Sequence, residues 1–131
     1  TRSSLKLEGI AQCNISLSGN IDVTYDGHLM KVRPDVGSID PIFLARYCLS
    51  DFSRTYFMRA AKHSTMTTIG QADIYPLPVV IPPMEEQIKI ADIIDKISRT
   101  IKQTKTKLKH TQALKKALMQ DLLTGKTRVA I

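Results

Sequence analysis

The sequence predicts an α+β fold, a small globular domain followed by one long coiled-coil-forming α-helix. Three observations carry that expectation. Residues 84–123 contain neither Pro nor Gly, and their apolar residues recur at alternating spacings of four and three. Asp26-Gly27 separates two short apolar stretches, the pattern of a hairpin whose turn needs a positive φ. Asp40-Pro41 precedes an apolar stripe at helical spacing, as a capping carboxylate and a first-turn proline do.

Taken in order, Gly9 to Leu17 has the small and β-branched content of a strand. Ile21, Val23 and Tyr25 alternate with polar residues, and Leu29 to Val32 forms the second arm of the hairpin, ended by Pro34. A helix is expected from Pro41, burying Phe43, Leu44, Tyr47 and Cys48. A second short helix is expected from Asp51 to Ala61, burying some of Phe52, Tyr56, Phe57 and Ala60. Lys62 to Gly70 reads as polar and turn-like. Leu77 to Ile81 reads as a buried strand, stiffened by Pro76, Pro78, Pro82 and Pro83.

From Met84 to Leu123 the grammar changes. Glu85 and Glu86 stand at the start, Lys115 and Lys116 near the end, and Gly125 follows, which suits the helix dipole and a C-terminal glycine. Such a helix would run roughly 60 Å. Its seam is Ile90, Ile94, Ile97, Ile101, Thr104, Leu108 and Thr111, then shifts to Leu114, Leu118 and Leu122. A stripe of this kind needs a partner helix, and the first 83 residues offer no long one. The partner is therefore expected in another copy or in another part of the same polypeptide. The expected domains are 1–83, 84–124 and a tail at 125–131.

Composition excludes several classes. The 131 residues are 43% hydrophobic and 24% charged, which reads as ordered and soluble, and no apolar run approaches the ~20 residues of a membrane span. Neither a signal peptide nor a lipidation box is visible, and the chain opens at Thr1, as a fragment or a processed product would. Cys13 and Cys48 match no zinc or redox spacing and read as buried thiols of a reducing, cytoplasmic compartment; the scattered His28, His63 and His110 suggest no metal. Net charge is +7, and it is uneven: eight Lys/Arg face seven Asp/Glu up to Pro83, against eleven and five thereafter. An excess of this kind suits nucleic acid, an acidic protein, or plain solvation of a Lys-rich helix face.

Against this background, Leu77-Pro78-Val79-Val80-Ile81-Pro82-Pro83-Met84-Glu85-Glu86-Gln87-Ile88-Lys89-Ile90-Ala91 resembles the "lPlPPl-EQ-kIa" junction of type I restriction–modification specificity subunits. Ala117-Leu118-Met119-Gln120-Asp121-Leu122-Leu123-Thr124-Gly125-Lys126-Thr127-Arg128-Val129 resembles the "Lmq-LLtGk-rv" ending of the same family. Asp40-Pro41-Ile42-Phe43-Leu44 and Ser64-Thr65-Met66-Thr67-Thr68-Ile69 fall where the family has its "dp-fl" helix and its "st---i" segment. The resemblance implies a target recognition domain, cut short here at its N-terminus, followed by the conserved spacer helix. In that family each domain reads one half of a split DNA site. Paired antiparallel helices set the distance between half-sites and dock the modification methyltransferase, and the assembly recruits the restriction subunit. No cofactor is implied.

The expected DNA-binding residues are Arg2, Ser3, Ser4 and Lys6 at the start of the chain, with Lys62, His63, Ser64, Thr65 and Thr67 before the last strand. Arg can hold guanine bidentately, and Ser, Thr and Lys can hold phosphates or bases. The expected helix-pairing residues are Ile90, Ile94, Ile97, Ile101, Leu108, Leu114, Leu118 and Leu122, and the partner is a second specificity helix in cis or in a homodimer. Glu86, Gln87, Leu123, Thr124 and Gly125 are expected to dock the methyltransferase. The face bearing Lys96, Lys102, Lys105, Lys107, Lys109, Lys115 and Lys116 can meet phosphates, an acidic protein or solvent. No catalytic residue is expected. Asp40-Pro41-Ile42-Phe43 lacks the second proline of a methyltransferase "DPPF" loop, and Pro34-Asp35 lacks the acidic-x-Lys strand of a nuclease. The competing expectation is a coiled-coil oligomerisation module with no nucleic-acid role.

Overall fold

The computed structural model describes residues 1–16 and 24–129. Its element order is β1 (Ser3–Ser4), a 3-10 turn (Leu7–Gly9), α1 (Pro41–Cys48), α2 (Asp51–Ala60), β2 (Thr67–Thr68), α3 (Gln71–Ile74) and α4 (Met84–Leu123). These divide into two compact units, 1–92 and 93–131.

In the first unit the helices form where local chemistry directs them. Asp40 accepts the Phe43 amide at 2.7 Å, and Pro41 occupies the first turn of α1. Ser50 accepts the Ser53 amide at 3.3 Å and starts α2. The Gly70 amide donates to the Asp73 carboxylate at 2.9 Å, closing the single turn of α3, which has too little apolar period to announce itself in the sequence.

The sheet departs from expectation. It has two antiparallel strands of two residues each, with Ser3 opposite Thr68 and Ser4 opposite Thr67. Lys62 adds a bridge to Thr68. No strand forms over residues 9–16; the 3-10 turn and a buried Ile10 stand there instead. A turn is present at Asp26-Gly27, with the Leu29 amide donating to the Asp26 carbonyl at 2.9 Å, but Gly27 does not take the expected positive φ and Leu29–Val32 is not a strand. Its expected first arm, containing Ile21 and Val23, lies outside the described residues. Leu77–Ile81 is irregular, because four prolines around it remove ladder donors, and it contributes single side chains to the core instead. The stretch read as a polar turn, 62–70, contains β2 and the buried Thr67 and Ile69.

Two apolar clusters hold the unit. Ile10, Ala11, Phe57, Ala61 and Ile69 form one, with Leu7, Cys48 and Leu77 at its edge. Ile39, Phe43 and Ala91 form the other, with Tyr47, Val79 and Ile90 packed against it. Gly9 approaches Ser4 so closely that a Cβ there would fall 2.2 Å from Ser4 Oγ. Arg54 on α2 donates to the carbonyl of Ile10 and, at 2.8 Å, to that of Glu8, tying the N-terminal loop to the helix.

Gln87 joins the segment around the Ile39–Phe43 cluster to the start of α4. It is 1% exposed. Its Oε1 accepts the Asp40 amide at 2.8 Å, and its Nε2 donates to the carbonyls of Ser38 at 3.1 Å and Pro82 at 2.8 Å. All three of these side-chain hydrogen bonds stay inside the unit.

The second unit consists of α4 from Ile93 onward and the tail. Thr100, Thr104 and Thr111 return their hydroxyls to carbonyls four residues back. Gly125 adopts φ 73°, a conformation that favours glycine, and the helix end is closed by the Thr127 amide on the Asp121 carbonyl at 3.0 Å. Among the described residues no helix is long and apolar enough to cross a membrane, and no group of three or more His, Cys, Asp and Glu could hold a metal.

Candidate nucleic-acid interface

The first unit gathers its polar donors around Arg2. Arg2 lies just before β1, and its backbone is held on both sides. Its amide donates to the His28 carbonyl at 2.8 Å, and its carbonyl accepts the Ile69 amide at 2.9 Å. The next residue adds a side-chain link, Ser3 Oγ to His28 Nδ1 at 2.5 Å. These bonds bring the Asp26-Gly27 turn and the start of α3 against the N-terminal segment. Arg2, Tyr25, Met30, Lys31 and Gln71 thereby line one open cleft, with Gly27 and Leu29.

The cleft has useful chemistry for a base edge. Arg2 offers a two-pronged donor, Gln71 an amide that can both donate and accept, and Lys31 a mobile cation. Tyr25, 56% exposed, offers an aromatic face. Among the described residues no carboxylate lines the cleft. Its backbone frame is fixed by hydrogen bonds, while the Arg2, Tyr25, Lys31 and Gln71 side chains face solvent.

The structure separates the other expected contacts. Lys6, Lys62, His63, Ser64 and Thr65 are exposed. Ser64 turns its hydroxyl to the Met66 carbonyl at 2.9 Å, closing its own turn. Ser3 and Ser4 are half-buried on β1, and the Ser4 hydroxyl accepts the Lys6 amide at 3.2 Å. Thr67 is 6% exposed and faces inward, with His63 Nδ1 3.5 Å from its hydroxyl, so it supports the loop from beneath. Tyr25, Lys31 and Gln71 were not expected. The signal that brings them to Arg2 is the long-range backbone bond to His28, which no local pattern contains.

The helix residues also divide. Ile90 packs against the Ile39–Phe43–Ala91 cluster and so serves the first unit. Ile94, Ile97, Ile101, Leu108, Leu114, Leu118 and Leu122 are all exposed, between 37% and 59%. Leu123 is exposed with Thr124 and Gly125 beyond it. Glu86 is exposed, whereas the adjacent Gln87 is spent on the three internal bonds described above.

Two thiols stand apart from the cleft. The Cys13 thiol is lowered to about 7, chiefly by a hydrogen bond from Cys48, opposed by burial and helped by nearby positive charge, including Arg54. Cys48 is raised by that same contact and by burial. Both are half-buried rather than fully buried as expected.

Comparison with known proteins agrees with the family resemblance. A family model described as "Type I restriction modification DNA specificity domain" matches residues 13–111. That span includes the Pro-rich junction and most of α4; Arg2 and the Leu122-Leu123-Thr124-Gly125 ending lie outside it. A protein of Methanocaldococcus jannaschii, named as a type I restriction enzyme MjaX specificity subunit, is 29% identical over 99 residues. The match covers 74% of this chain and 23% of that relative's length. No solved structure matches. With three-quarters of its length under that model, the chain belongs to the type I restriction–modification DNA specificity domain family.

Proposed function

We propose that this chain is a non-catalytic sequence-specificity module of a type I restriction–modification system, reading one half-site of double-stranded DNA. The observation that carries the reading is the Arg2 cleft: a guanidinium, an amide, an ammonium and a phenol on one open surface with a hydrogen-bonded frame. Arg2 reads a guanine through its O6 and N7, Gln71 an adenine, and Lys31 and Lys62 hold phosphates that set the register. A well-formed bidentate pair discriminates against the wrong base by about 1–3 kcal/mol.

The helix serves as spacer and scaffold. Its exposed seam, Ile94, Ile97, Ile101, Leu108, Leu114, Leu118 and Leu122, buries itself against a second specificity helix, in the same polypeptide or in another copy. A rod of fixed length then fixes half-site separation. Glu86 at one end and Leu123, Thr124 and Gly125 at the other contact the modification methyltransferase, and the restriction subunit joins the full complex.

The test is selection from a random duplex pool by the full chain, compared with Arg2→Ala and Gln71→Ala. The reading expects one short enriched half-site. Arg2→Ala should relax it at a guanine and Gln71→Ala at an adenine, with overall affinity otherwise kept. A pool that enriches nothing, while the chain self-associates through its helix, would replace this reading with the oligomerisation module.

A further inference from the structure

The second unit carries a charge pattern that helix pairing does not use. From Lys96 to Gln120 there are eight Lys/Arg and no Asp or Glu. The eight are not scattered evenly round the helix. At about 100° per residue, Lys102, Lys105, Lys109 and Lys116 fall within an arc of about 60°. That arc lies to one side of the Ile94–Ile97–Ile101–Leu108 seam. Lys96, Arg99, Lys107 and Lys115 fall outside it. The four lysines span about 21 Å along the axis.

The side chains confirm the stripe. Lys102, Lys105 and Lys109 share one shallow depression with Ser98, Ile101 and Thr106. Thr100, Thr104 and Thr111 close their hydroxyls on helix carbonyls, while Ser98 and Thr106 form no such bond among the described residues. Free hydroxyls therefore sit between the ammonium groups. Lys102–Lys105 and Lys105–Lys109 are like-charge neighbours at three and four residues, an arrangement that works against an isolated helix and is relieved by an anionic partner.

We infer that this stripe binds the phosphate backbone of duplex DNA without reading its sequence. Three features favour phosphates over an acidic protein surface. The residue types are Lys, Ser and Thr, the usual phosphate contacts, whereas protein interfaces are depleted in Lys and enriched in aromatic residues. No Phe, Tyr or Trp occurs from Ile93 to Leu123. The stripe is linear, and a duplex presents a charge every ~1.7 Å of axis, so a row of cations finds phosphates in any register. The stripe flanks the seam, its centre about 80° round the helix from the seam's, so it stays open beside a helix packed on the seam. This inference rests on the DNA-recognition reading above and extends it from the cleft to the helix.

The experiment measures anisotropy of a labelled 30-base-pair duplex of scrambled sequence with the full chain, from 50 to 200 mM NaCl. Two quadruple variants lose the same charge: Lys102→Gln, Lys105→Gln, Lys109→Gln and Lys116→Gln in one, and Lys96→Gln, Arg99→Gln, Lys107→Gln and Lys115→Gln in the other. Circular dichroism checks that each keeps its helix. Four phosphates predict a log–log salt slope about 3.6 units shallower in the stripe variant. Over that fourfold change of salt, the wild type should lose about 150-fold more affinity than the stripe variant. The control variant should retain most of the wild-type slope. Equal effects in both variants would overturn the inference, leaving only net charge. An unchanged slope in the stripe variant would overturn it too, and loss of methyltransferase capture alongside would identify an acidic protein as the partner. If the wild type binds no duplex, specific or scrambled, both this inference and the DNA-recognition reading fail. If it selects a half-site normally while the stripe variant keeps the full slope, only this inference fails.

Discussion

Replacing Gln87 by Ala should unfold the first unit far more readily than its place in a charged helix start suggests. The side chain is 1% exposed and makes hydrogen bonds of 2.8, 3.1 and 2.8 Å to Asp40, Ser38 and Pro82. Each such bond contributes about 0.5–1.5 kcal/mol net, and truncation leaves the Asp40 amide and two carbonyls without this partner. The sum is about 3 kcal/mol, before any cavity cost. For a unit of this size that lowers Tm by roughly 12–24 °C. Asp40 is also the cap of α1, so the loss reaches the Phe43 cluster. All four tyrosines, Tyr25, Tyr47, Tyr56 and Tyr75, lie in this unit, and the chain has no Trp, so near-UV circular dichroism reports it selectively. Glu86→Ala, at an exposed neighbour, is the control and should shift little. A Gln87→Ala midpoint within experimental error of Glu86→Ala would refute the keystone role.

Three further predictions follow from separate features. Ile97→Asp should abolish self-association through the seam while leaving the tyrosine near-UV signal intact; a dimer mass unchanged by light scattering would sink the seam assignment. Gly9→Ala should turn the Ser4 hydroxyl away and break its bond to the Lys6 amide, a loss of roughly 0.5–1.5 kcal/mol read as a lower urea midpoint; an unchanged midpoint would contradict the close approach. Alkylation of Cys13 by iodoacetamide should rise with a midpoint near pH 7, since its thiol is lowered to about 7. Cys48→Ala should move that midpoint upward by removing the hydrogen bond to the thiolate. The sign for stability is that of a depressed acid: the Cys13 contribution is absent below pH 7, grows as pH rises, and is complete above the unfolded thiol's ordinary value. A midpoint near 9 in the unaltered chain would remove the contact.

What the sequence made legible is what local chemistry encodes. Asp40-Pro41 and Ser50 cap their helices through bonds within three residues, and α4 runs from Met84 to Leu123 because nothing in that interval breaks it. The sheet was not legible. Ser3 and Ser4 pair with residues more than sixty positions away, over strands too short to show alternation. The same distance hid the cleft: Arg2 stood out by residue type, but Tyr25, Lys31 and Gln71 join it only through the Arg2–His28 backbone bond and the Arg2–Ile69 bond. Gln87 and Ile90 misled for a related reason. Both belong to a helix whose later turns are exposed, yet contacts with Ser38, Asp40, Phe43 and Val79 draw its first two turns into the core. Thr67 read as a loop donor because its neighbours are polar, and β2 turns it inward.

The proposed role requires one chain both to choose the DNA site and to hold the enzyme that modifies it. The most direct measurement co-expresses the chain with a type I modification methyltransferase subunit and maps methylated sites across the host DNA. Wild type should direct methylation to one motif, and Arg2→Ala with Gln71→Ala should change that motif in one half only, with the complex intact by light scattering. Methylation that is independent of the chain, or a motif unmoved by the cleft variant, would contradict the account.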